Sequence, residues 1–222
     1  VLGDARLRAQ ALRLVRAYDR AFSRNFRSPF ARSTLDAACE DKEAGIYCFL
    51  AAYRAYLATN DPTFAEQARI AGEWISTFVY FWNVGSRAGS ICHQEGFSST
   101  FWPGVSVQNM HLDVFFPAFE LADLGRRLRD PMLVGIGEGV MAAWTHGICQ
   151  RPGHWGFPTP GEQGEQFFQT NWGLSIDHWR GGANRWNPAW IIALVLQAAL
   201  KFSGGSGNAS RRKSRAHLQR CR

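Results

Sequence analysis

Two short segments, Asn60-Asp61-Pro62 and Arg129-Asp130-Pro131, narrow the folds open to this chain more than any other feature. In each, an aspartate stands where its carboxylate can cap the first free amides of a helix. A proline follows at the first helical position, where a missing N–H does no harm. Each segment also comes directly after a helix-patterned apolar run, ending at Leu57 in one case and near Leu128 in the other. Helices joined by so few residues lie antiparallel, and the turn recurs at an offset of 69 residues, from 61 to 130. The chain is therefore read as all-α and built from repeated antiparallel helical hairpins.

Leu7, Ala11, Leu14, Tyr18 and Ala21 recur at helical spacing among Arg6, Arg8, Arg13, Arg16 and Arg20, the pattern of a surface helix with one apolar stripe. Asp41-Lys42-Glu43 opens a second helix whose Ile46, Phe49, Leu50, Tyr53 and Leu57 leave almost no polar face. A third, amphipathic helix runs from Pro62 to about Trp82. A long loop to Gly104 then leads into a mostly apolar fourth, ending near Leu128. A fifth spans Met132 to about Cys149. The connection Gln150 to Trp186 ends at Asn187-Pro188, and the apolar sixth helix covers Ala189 to Phe202. Residues 204–222 are Gly/Ser-rich and then Arg-rich, so the folded domain is expected over 1–203 with a disordered tail.

Helices one, three and five are amphipathic, whereas two, four and six are apolar on most faces, as outer and inner layers of a toroid or partial toroid would be. Connections into the inner helices are long and those out of them short, which gathers the long loops at the end where the inner helices begin. Asp41/Glu43, Gln108/Asn109/His111/Asp113 and Arg185/Asn187 all fall at that end.

The net charge of +7 invites a nucleic-acid reading, but six of those charges lie in the tail, between Arg211 and Arg222. Residues 1–203 are left near +1, so no nucleic-acid partner is expected. The hydrophobic content of 46% suffices for a soluble core, and no apolar run approaches the ~20 residues a membrane span needs. Five cysteines without a CxxC argue against a disulfide framework or a zinc site and favour the cytoplasm over secretion.

Helix N-termini favour anions and hydroxyl-rich ligands and hold carboxylates ionised, which makes Asp41 and Glu43 candidates for base or nucleophile. Two residues apart, they point about 200° away from each other on a helix, so at most one faces the centre. Gln108 and His111 share one side of the following segment, and Asn109 and Asp113 another. Pro117 means that the fourth helix either kinks past Asp113 or begins regularly only near Phe116. Trp102, Trp155, Trp172, Trp179 and Trp186 supply flat faces for sugar stacking, or else plug the loops onto the helices. Glu95, Glu162, Glu165 and Asp177 are further acids at this end. No histidine spacing supports a metal.

This arrangement resembles the six-hairpin (α/α)-toroid glycosidases. The resemblance rests on Asp41-Lys42-Glu43-Ala44-Gly45, the two Asp-Pro turns, Trp102-Pro103-Gly104 with Val107 to Asp113, and Trp186-Asn187-Pro188-Ala189-Trp190. It spans residues 1 to about 203 at the level of architecture. Three hairpins are counted where a full toroid has six, so the chain is expected to be part, the C-terminal portion, of such a protein. The resemblance implies a carbohydrate substrate, no cofactor, and cleavage of a glycosidic bond by two acids, with Asp41 or Glu43 and Asp113 as the leading pair. Trp102, Gln108, Asn109, His111, Arg185, Trp186 and Asn187 would bind sugar. Toroids of similar fold also epimerise sugars or eliminate uronic acids through a histidine or tyrosine, a role open to His111. A non-catalytic glycan- or protein-binding scaffold is the reading from a different class.

Overall fold

The computed structural model describes residues 3–23, 40–86, 88–106, 112–164 and 189–219. Among them, seven α-helices run in the order α1 (Ala5–Tyr18), α2 (Lys42–Thr59), α3 (Pro62–Ser76), α4 (Ile91–Gln94), α5 (Ala118–Leu128), α6 (Pro131–Gly147) and α7 (Ala189–Gln219). A π-helical turn, Asp19–Ser23, extends α1, and a 3-10 turn, His154–Gly156, lies beyond α6. β-structure among the described residues is confined to two isolated bridges. The class is all-α, held by helix-on-helix packing. No helix among the described residues is long and apolar enough to cross a membrane.

Both Asp-Pro turns have one conformation. Asn60 and Arg129 take left-handed backbone, with φ of 56° and 60°, which ends one helix and reverses the chain. The next aspartates cap the helices that follow. Asp61 Oδ1 accepts from the Thr63 N–H at 2.8 Å, and Asp130 Oδ1 accepts from the Met132 and Leu133 N–H groups at 2.9 and 3.2 Å. The closest helix packing lies across these turns, α2 on α3 and α5 on α6. At the second, a Cβ on Gly125 would stand 2.7 Å from the Val134 nitrogen, so only glycine allows this approach.

Phe49, Ile75, Leu121, Leu124, Leu133, Val140, Trp144, Ile191 and Val195 are buried where the two hairpins meet each other and α7. Polar ties cross the same contacts. The Tyr53 hydroxyl donates to Asp123 Oδ2 at 2.8 Å, and Lys201 Nζ donates to Glu120 Oε1 at 2.7 Å. Helix α1 buries no residue, as its single stripe implies. It is fastened by Arg8 to the Ala58 carbonyl at 2.5 Å, by Arg16 to Asp61 at 3.0 Å, and by the Arg16 guanidinium 4.5 Å above the Phe64 ring.

Three expectations change, and of the two alternatives open at Pro117 the irregular entry is the one realised. Helix α3 stops at Ser76 rather than near Trp82, because Thr77 turns its hydroxyl onto the Trp74 carbonyl and residues 78–80 are taken up in backbone bonds to residues 101–104. Pro117 is the N-cap of α5, so the regular helix starts at Ala118 and residues 112–116 are irregular. The inner helices are not sealed on most faces: Tyr47 on α2 is 61% exposed, and Leu196 and Leu200 on α7 are 56% and 72% exposed. The backbone of α7 continues to Gln219 instead of ending at Phe202. Ala209, Arg211, Arg212, Lys213 and Ala216 are good helix formers, which a judgement from glycine, serine and charge content overlooks.

Candidate functional site

Residues 102–106 form an extended strap between the end of α3 and the start of α2. On one side the Tyr80 N–H donates to the Trp102 carbonyl at 3.0 Å and the Gly104 N–H to the Phe78 carbonyl at 2.8 Å. On the other, the Lys42 N–H donates to the Val105 carbonyl at 2.9 Å, and Asp41 bridges Ser106. The strap thus satisfies one of the free amides that every helix start leaves over. It is entered through Phe101 at φ 64°, a rare conformation for a bulky residue. Asp113 then returns to it, its N–H donating to the Pro103 carbonyl at 2.9 Å.

The strap brings together acids that lie far apart in sequence. Asp41 is the N-cap of α2, fully buried, with Oδ1 accepting from the Glu43 N–H at 2.8 Å. Lys42, also fully buried, donates from Nζ to Asp113 Oδ2 at 2.6 Å. The other Asp113 oxygen accepts from the Phe115 N–H at 3.0 Å, and its carbonyl accepts from Trp144 Nε1 at 3.1 Å. Asp113 is thus a joint between α2, the strap, the approach to α5, and α6. Burying two charges costs several kcal/mol each, and only close pairing with further hydrogen bonds compensates. Both conditions are met here.

The sequence reading gave Lys42 no role. The signal was present: a cation at the first position of a helix opposes the helix dipole, so a buried one needs a carboxylate. Glu43, in the same first turn, is half-buried and is the most open of the three leading acids. Trp102 is fully buried, its ring 5.7 Å from Phe97, which in turn meets Trp155 at 5.4 Å. This corrects the stacking role expected for Trp102, since neither ring face is open; it plugs the loops onto the helices. Gln108, Asn109, His111, Arg185, Trp186 and Asn187 lie outside the described residues, as do Glu165, Trp172, Asp177 and Trp179. Glu95 pairs with Arg151 at 2.6 Å, and Glu162 accepts weakly from the Thr159 N–H at 3.4 Å.

No family model, curated protein or solved structure matches the chain.

Two titrating groups, His154 beyond α6 and Cys92 on α4, are held neutral by burial. Burial lowers His154 from its ordinary value, and its Nδ1 accepts from the Gln150 N–H at 3.1 Å, the bond of a neutral imidazole. Burial pushes the Cys92 thiol up, which makes it a poor nucleophile. Cys48, Cys92 and Cys149 carry free thiols, and no group of three or more His, Cys, Asp or Glu among the described residues could hold a metal. Among the described residues, the chemistry at this end is that of carboxylates and helix-start amides.

Proposed function

We propose that the chain is the working part of a carbohydrate-active enzyme of the (α/α)-toroid, glycoside-hydrolase type, acting at the end where α2 and α5 begin. The observation that supports this best is that Asp41, Glu43 beside it, and Asp113 are gathered at one strap. Glycosidic cleavage needs two carboxyl groups flanking the anomeric carbon, one to protonate the leaving oxygen and one to activate water or attack. In this reading Asp113, tied to Lys42, fixes the floor of the site. Glu43 is the acid of the α2 start that reaches substrate, with Asp113 as its paired carboxylate, while Asp41 caps α2. The matching αL-Asp-Pro turns support a ring of like hairpins as the wider architecture.

The test is product analysis on a panel of glycans, using protein from the complete reading frame. Reducing sugar should be released, and Glu43→Gln should abolish release while leaving the melting temperature unchanged. A ring-opened epimer or an unsaturated uronate among the products would replace hydrolysis with the epimerase or lyase alternative.

One observation favours a non-catalytic glycan-binding scaffold instead: the Lys42–Asp113 pair closes on itself, with side chains 0% and 4% exposed. That reading takes over if no glycan is turned over, or if Glu43→Gln and Asp113→Asn both leave turnover unchanged.

A further inference from the structure

A second feature lies away from the strap. Between α1 and α2 is a cavity of about 270 Å³, walled by Leu14, Tyr47, Ala51 and neighbouring small residues, with Tyr18, Asp19, Cys48 and Gln67 as its polar groups. Its rim holds an unusual share of exposed apolar surface: Leu14 is 63%, Tyr47 61% and Tyr18 40% exposed. Gln67 is 4% exposed, yet its Oε1 has no hydrogen-bond partner. A buried amide oxygen left unpaired is unfavourable unless something else supplies a donor. A cavity of about 150 Å³ already accepts benzene, so this one has room for a bicyclic ring.

We propose that this cavity binds a small aromatic molecule carrying one N–H donor, with its ring against Leu14, Tyr18 and Tyr47 and its donor on the Gln67 amide. The apolar walls supply the affinity, and Gln67 selects for a donor over an acceptor. Tyr18 is raised by burial and by the neighbouring Cys48, so it lines the site as a neutral phenol at physiological pH. The proposal is independent of the sugar reading, since no residue is shared between the two sites.

The probe is indole, with indene as its counterpart lacking the N–H, titrated into the whole chain by calorimetry. Saturable 1:1 binding of indole is expected, about five- to tenfold tighter than indene, the worth of one hydrogen bond. Gln67→Leu should erase that difference by weakening indole alone. Ala51→Trp, at an exposed position of the wall, should abolish binding of both with the helical circular dichroism unchanged. Equal affinity for the two probes, indole binding that survives Ala51→Trp, or no saturation up to the solubility of indole would each overturn the proposal.

Discussion

Two ion pairs in this molecule have the same nitrogen–oxygen distance, 2.6 Å, and opposite surroundings. Lys42 and Asp113 join α2 to the approach to α5 with side chains 0% and 4% exposed; Arg126 and Glu138 join α5 to α6 with side chains 44% and 53% exposed. Distance alone would rank them equal. Water around Arg126 and Glu138 screens their attraction, and both side chains lose freedom to meet, so such pairs contribute about 0–1 kcal/mol. At Asp113 no water can replace a lost partner, and removing one half of a buried pair costs about 3–5 kcal/mol. The strap end is therefore held by charge, while the Asp-Pro turn end is held by caps and close backbone contact.

Asp113→Ala carries the largest expected effect, a loss of about 3–5 kcal/mol in denaturant unfolding, because Lys42 is left buried and unpaired. A loss below 1 kcal/mol would place the pair in the same class as Arg126–Glu138. At the turn end, Gly125→Ala is expected to cost about 1–3 kcal/mol, since its Cβ would meet the Val134 nitrogen at 2.7 Å and rigid backbone must shift. Asp130→Ala should cost about 1 kcal/mol through the lost cap. The smallest effect is pH-dependent. The Thr63 N–H, and then Arg16, hold the Asp61 carboxyl below its ordinary value. Its contribution is present at neutral pH and is lost as pH falls through the folded value, below about pH 4. Asp61→Asn should flatten the acid limb of a stability–pH profile and lower the limb above pH 6 without changing its slope.

The turn end was legible in the sequence because its causes are local. Asp61, Pro62, Asp130 and Pro131 act within one or two residues of themselves, and the structure has both caps. The outward placement of α1 was legible for the same reason, from one apolar stripe among arginines. The strap end was legible only in part. The sequence placed Asp41 and Asp113 at a shared end, and a lysine at the first helical position signalled the need for a carboxylate, but which carboxylate could not be read locally because the partner lies 71 residues away. Local pattern also could not tell an exposed tryptophan from a buried one in a glycine-rich loop, and Trp102 is buried. The length of α3 failed similarly: residues 78–80 continue a helical pattern, yet the strap claims their backbone bonds.

The central claim, that burial rather than distance sets the worth of these two pairs, is tested most directly by parallel double-mutant cycles. One cycle combines Lys42→Met with Asp113→Leu, and the other combines Arg126→Ala with Glu138→Ala. The account predicts a coupling of about 2–3 kcal/mol at the strap, with the double variant more stable than either single variant, against less than about 1 kcal/mol at the surface pair. Additive losses in the Lys42/Asp113 cycle, or equal coupling in the two cycles, would contradict it.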